Sequence, residues 1–190
     1  MSRSAAEADE PLRGTSMRRS GRSRFGAAVL SVGVVSVRVM GDLRLAELTQ
    51  DNLSAAVGLT LKPGQEKFVA PVVESIAEAY VTPTAWPRVV VDGDRVVGFV
   101  MANFDSENEL EAFRCGIWRL NVAADAQGSG VGRFAVEAVA EEARRRGWSR
   151  MTVLWEKGDG GPEGFYLRLG FVPTGELFGE IVGAKDITVK

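Results

Sequence analysis

A glycine-rich turn, a complete lack of histidine and a scatter of carboxylates bound the chemistry open to this sequence. Residues 127–132 read QGSGVG and run into Arg133 and an amphipathic stretch. Such a turn sets successive backbone N–H groups at the positive end of a helix dipole, which favours an anionic phosphate without a charged side chain. A plain strand-to-helix connector also uses glycine, so these letters alone leave both roles open. No Gly-Lys-Ser/Thr follows, which excludes a Walker A loop. Counted from Gly128, the last glycine of a dinucleotide fingerprint falls on Arg133, which weakens that reading too. With no histidine in the chain, Ser-His-Asp and Cys-His schemes, HExxH metalloproteases and imidazole bases are all excluded. Proton transfer is left to carboxylates, lysine, tyrosine, the thiol of Cys115 or water. A single cysteine allows no intramolecular disulfide, and no metal site is expected.

The 190 residues suit one domain with one sizeable core. A net charge of −2 argues for neither a nucleic-acid nor a membrane partner. Residues 1–24 are Ser/Arg/Ala/Glu-rich and read as disordered. The apolar run FGAAVLSVGVVSVRV (25–39), preceded by Arg18, Arg19, Arg22 and Arg24, mimics a signal peptide. It is shorter than the roughly 20 residues of a spanning helix. No A-x-A-like site follows it, and the body lacks secretory disulfides. Residues 1–40 are therefore expected to be an extension and 41–190 the working domain, cytoplasmic in location.

The elements that must position the glycine turn follow from periodicity. LRLAEL (43–48) alternates like a strand, and Thr49 or Asp51 can cap a helix through residue 59. Pro71 opens a second helix with Val72, Ile76 and Ala79 on one face, stopped by Pro83 and Pro87. Two β-branched runs around Asp92-Gly93-Asp94 predict a hairpin, and a third run, 113–123, leads to the glycines. Behind them Val131, Phe134, Ala135, Ala138, Val139 and Glu142 keep helical spacing up to RRRG at Gly147. A strand at 150–156, a glycine-rich loop at 158–161, a short helix at 162–169 and strands near 171–175 and 179–188 complete the chain. The predicted order is β, α, α, β, β, β, α, β, α, β, β.

The spacing Gln127-x-x-Gly130-x-Gly132, followed by FYLRLGFVPTGE (165–176), resembles the GNAT superfamily of acyl-CoA-dependent N-acyltransferases. Its pyrophosphate motif is Q/R-x-x-G-x-G/A, and its C-terminal segment reads F/L-Y-x-x-L-G-F. The resemblance covers about residues 41–188. It implies an α/β (α+β) fold: a mixed, mostly antiparallel sheet with helices on both faces. GQEKFVAPVVESIAEAYV, VGFVMANFD, IWRLNV and TGELFGEIV are further similar to bacterial spermine/spermidine-type acetyltransferases.

That resemblance implies acetyl-CoA as co-substrate and a small-molecule amine as acceptor. The N–H groups of Gly128, Ser129, Gly130, Val131 and Gly132, with Gln127 and Arg133, would face the pyrophosphate. The backbone of Leu120, Asn121 and Val122 would pair with the pantetheine arm, and Tyr166 would protonate the departing thiolate. The strand before the turn offers Trp118 and Arg119 where some relatives carry a basic glutamate, so deprotonation through water is expected. Glu78, Asp105, Glu176 and Glu180 are the candidates to assist it and to hold a cationic acceptor. Relatives often place Asn before the tyrosine helix, whereas Asp159 stands nearest that place here. Cys115, Trp118, Trp148 and Trp155 read as packing residues. Other acceptors (an amino acid, an antibiotic amine, a protein N-terminus) and a non-catalytic acyl-CoA-binding module stay open, as does a homodimer.

Overall fold

The computed structural model describes residues 42–188, so the expected extension 1–40 lies outside the described residues. β1 (Leu43–Glu47) leads to α1 (Gln50–Val57) and α2 (Val72–Val81). The hairpin strands β2 (Ala85–Asp92) and β3 (Arg95–Phe104) are followed by β4 (Cys115–Val122) and α3 (Val131–Arg145). β5 (Arg150–Trp155), α4 (Glu163–Arg168), β6 (Val172–Leu177) and β7 (Glu180–Asp186) complete the order, which is the one the periodicity predicts. Seven strands form one sheet in the order β1-β2-β3-β4-β5-β7-β6. Every neighbouring pair is antiparallel except β4 and β5.

Local chemistry explains the element ends. The Thr49 N–H donates to Asn52 Oδ1 at 2.9 Å, half of a capping-box arrangement at the start of α1. α3 ends in a Schellman motif: Trp148 N–H reaches the Ala143 carbonyl at 3.0 Å and Gly147 N–H the Arg144 carbonyl at 2.9 Å. The buried stripe of α3 is Val131, Ala135, Val136, Val139, Ala140 and Ala143. This is the predicted face turned by one residue, because the helix leans its small residues onto the sheet and leaves Phe134 half-buried. Pro87 sits inside β2. It is tolerated there because β1 pairing ends at Arg88, leaving the proline's donor-free side open.

β3 is buried along nearly its whole length because helices cover both faces of the sheet. On one face Ala56 and Val72, from α1 and α2, pack with Val89, Val91, Phe99 and Met101. On the other, the α3 stripe and Tyr166 of α4 pack with Val90, Val100, Ile117, Met151, Trp155 and Phe171. Among the described residues no helix is long and apolar enough to cross a membrane.

Candidate functional site

The single parallel pair is where the sheet opens. β4 and β5 pair only at Gly116–Thr152 and Ile117–Val153, although each continues for several residues. Gly116 permits that contact: a Cβ there would lie 2.4 Å from Thr152 Oγ1 and 2.6 Å from its carbonyl. Just beyond it the register against β3 skips, with Met101 opposite Arg119 and Ala102 opposite Ile117. Trp118 is thus the extra residue of a β-bulge, a feature that bends a strand and re-aims its side chains. β4 swings away from β5 and leaves a wedge in which the β5-side edge of β4 has no strand partner among the described residues.

A cleft of about 350 Å³ fills this wedge. Its walls include Trp118, Leu120 and Val122 of β4, Val153 and Leu154 of β5, and Phe165, Tyr166 and Arg168 of α4. Gln127, Gly128 and Gly132 of the glycine turn close one end. There Gly128 has φ 84° and Gly130, the residue capping α3, has φ 98°, a left-handed backbone that a side chain would strain. The Phe134 N–H returns to the turn, donating to the Gly130 carbonyl at 2.9 Å. The N–H groups ahead of it are those a helix start leaves without intrahelical partners. Among the described residues no cluster of three or more His, Cys, Asp or Glu is placed to hold a metal ion.

Tyr166 reaches the cleft from a rigid aromatic setting. Its ring stacks on Trp155 at 5.6 Å and 20° and meets Phe165 and Phe171 edge-on at 5.0 and 5.5 Å. Trp155 in turn lies over Gly183, where a Cβ would come within 2.1 Å of the indole. Burial pushes the Tyr166 phenol well above its ordinary pKa, so it stays protonated across the neutral range. Cys115, by contrast, is a core residue whose thiol burial raises to about 12, which makes it inert as a nucleophile.

The other expected residues divide by face. Leu120 and Val122 point into the cleft, whereas the Asn121 side chain turns to the opposite face and donates to the Ala70 carbonyl at 3.3 Å. Val131 is a core side chain, and the Ser129 hydroxyl donates to the Ala126 carbonyl. Arg133 is exposed, 3.7 Å from Glu137. Glu78 of α2 pairs with Arg119 at 2.9 Å on the α1–α2 face. Glu180 is half-buried; burial and the nearby Glu156 raise its carboxyl above the usual range, while Arg119 pulls it back. Glu176 is tied to Lys157, away from the cleft walls. Asp105 is not brought to the cleft: its carboxylate accepts from Glu107 N–H and Asn108 Nδ2, both at 3.1 Å, and closes a turn at the far end of β3. It is a loop residue outside the cleft lining.

Trp118 packs against the α1–α2-side core, as its reading as a packing residue expects, and also lines the cleft. Its Nε1, with Arg119 Nε and Asn121 Oδ1, is buried without a hydrogen-bond partner among the described residues. Sequence reasoning missed the segment 60–70, which folds back over the wedge. Gln65 and Gln127 exchange amide hydrogen bonds at 2.6 and 3.2 Å, and Ala124 N–H reaches the Thr60 carbonyl at 2.8 Å. Phe68 then spans to the 158–161 loop, within 3.3 Å of where a Gly161 Cβ would stand. Gln65 and Phe68 lie in the GQEKFV stretch, so the signal was present without an assigned role.

The wedge between two parallel strands, with a bulge in one wall and a glycine turn on a helix start at one end, is the cleft in which the site residues meet. Residues 60–171 match the model of the acetyltransferase (GNAT) family, and the chain belongs to that family. N-acetyltransferase 8F1 of Rattus norvegicus is 26% identical over 119 residues, 60% of this chain. The chain spans only about half the length of that relative, 54%. Among solved structures it is similar to PaiA N-acetyltransferase of Thermoplasma acidophilum in complex with coenzyme A, with a TM-score of 0.59 and 10% identity over 77% of this chain and 99% of that one. An aminoglycoside 6'-N-acetyltransferase complexed with coenzyme A gives 0.60 and 18%, over 77% and 98%. The ribosomal-protein-S18-alanine N-acetyltransferase of Escherichia coli gives 0.58 and 16%, over 78% and 96%. At these identities the structures speak for the fold.

Proposed function

We propose that this protein is an acetyl-CoA-dependent N-acetyltransferase acting on a primary amine of a small molecule, with polyamines first among the acceptors. One observation carries the reading: a single cleft has a phosphate-suited glycine turn at one end and the protonated phenol of Tyr166 in its wall. The site fits such a thioester. The N–H groups from Gly128 to Arg133 suit a pyrophosphate, and the unpaired β5-side edge of β4 at Leu120–Val122 suits the amides of a pantetheine arm. Arg168, also in the cleft wall, adds a cation for phosphate that sequence reasoning did not single out.

Transfer then needs a neutral amine, and an aliphatic amine with a pKa of about 10.4 is about one part in a thousand neutral near pH 7. The amine nitrogen bonds to the thioester carbonyl carbon as the C–S bond breaks. Tyr166 gives its proton to the departing sulfur, and the ammonium proton leaves through water. No carboxylate lines the cleft. Glu78 and Glu180 lie toward the α1–α2 face around Arg119, where they suit recognition of an ammonium group.

Thiol release measured across a panel of amines tests the assignment. Turnover is expected with spermidine. Turnover confined to an amino acid, an aminoglycoside or a peptide N-terminus would replace the polyamine assignment.

A further inference from the structure

The two-residue tip of the β6–β7 hairpin carries an unusual residue. Leu177 pairs with Glu180, and the loop between them, Phe178-Gly179, has φ 54° and 87°. Two positive values in succession define a turn that favours Asn-Gly or Gly-Gly, and a bulky side chain there is strained. Phe178 is the only described non-glycine residue with positive φ, and it is 77% exposed. Neither backbone preference nor burial explains phenylalanine at this position. Strain of this kind is kept where the side chain has a task.

The ring is not idle. Phe178 stacks on Phe113 at 6.3 Å and 14°, and Phe113 meets Trp118 edge-on at 6.1 Å. Phe113 is a fixed platform, because buried Asn103 donates to its carbonyl at 2.7 Å and Thr152 Oγ1 donates to the Ala112 carbonyl at 2.7 Å. Trp118 lines the cleft. Three aromatic rings therefore step outward from the cleft wall to the surface. The charge beside them is negative: Glu78, Glu156 and Glu180 stand around one cation, Arg119. Glu176, on the same hairpin, is already matched by Lys157.

We infer that Phe178, seated on Phe113, is a specificity-determining residue that selects linear amines carrying a second cationic nitrogen. The reacting amine sits near Trp118 while the distal ammonium lies against the Phe178 face, with Glu180 supplying its counter-charge. The aromatic faces attract the cation, and the acids balance it. The inference rests on the acetyltransferase reading and adds to it the residue that reads the acceptor's second charge.

The test compares spermidine with n-butylamine in a thiol-release assay for wild type, Phe178→Asn and Phe178→Trp. Asn removes the ring yet suits the left-handed turn, so the hairpin keeps its fold. Phe178→Asn is expected to raise KM for spermidine about two- to fivefold, the range of an exposed cation–π contact, with KM for n-butylamine and acetyl-CoA unchanged. Phe178→Trp should retain the wild-type KM for spermidine. An Asn variant that shifts both amines equally, or neither, overturns the inference and leaves the acetyltransferase reading standing. A wild type that releases no thiol with any amine overturns both.

Discussion

Replacing Tyr166 by phenylalanine separates the proposed proton transfer from folding, because it keeps the ring and removes only the hydroxyl. The ring makes three aromatic contacts, with Trp155, Phe165 and Phe171, each worth about 0.5–1.5 kcal/mol beyond area burial. Phenylalanine keeps all three, whereas alanine would forfeit them and open a cavity costing about 3–5 kcal/mol. Phenylalanine removes only the hydroxyl and keeps the ring, so the stability change should stay within about 1 kcal/mol. Positioned acid catalysis is worth about 10²–10⁴ in rate, or about 2.7–5.4 kcal/mol of barrier. The Tyr166→Phe enzyme should lose at least about tenfold in kcat, with Tm and the thermal shift given by acetyl-CoA preserved. Burial raises the phenol, so wild-type kcat should show no falling limb near the ordinary tyrosine value of about 10. Unchanged kcat in a folded Tyr166→Phe enzyme would remove Tyr166 from the mechanism.

Three further perturbations probe the parts around it. Gly130→Ala forces a side chain into φ 98° at the helix start and should cost about 1–2 kcal/mol in stability while raising KM for acetyl-CoA more than KM for the amine. Gly183→Ala drives a methyl to within 2.1 Å of the Trp155 indole that backs Tyr166; denaturant melts should show a loss of about 1–3 kcal/mol, and kcat should fall with it. Glu180 has its carboxyl raised by burial first and by Glu156 second, so at neutral pH its ionised form costs stability. That contribution favours the fold below the unfolded pKa and is lost as pH rises through the folded one. Glu180→Gln should therefore raise Tm at pH 7 while increasing KM for spermidine. In wild type, KM for the amine should climb as pH falls through a value above the ordinary glutamate range, and the glutamine variant should lack that limb.

The letters carried most of the fold. Period-2 runs, the Gly93 turn and the Pro71 and Gly147 helix ends report on their own neighbours, so they were legible one by one. The glycine turn and Tyr166 were found through a spacing pattern, and the structure brings both to one cleft. What escaped was decided across the sheet. Trp118 alternates like any strand residue, and only its register against Met101 and Ala102 makes it a bulge that opens the wedge. The Gln65–Gln127 pair joins residues 62 positions apart, a contact no local pattern encodes. Asp105 shows the same limit from the other side: that its own loop donates to both oxygens cannot be read from an acid following a strand.

Direct assay of acetyl transfer tests the account most plainly. The purified chain is mixed with acetyl-CoA and spermidine, free thiol is followed with time, and the amine is examined by mass spectrometry. One acetyl group should appear on spermidine for each thiol released, and Tyr166→Phe should slow both together. A chain whose Tm rises with acetyl-CoA but which acetylates no amine in the panel would be a binding module, and the catalytic account would be wrong.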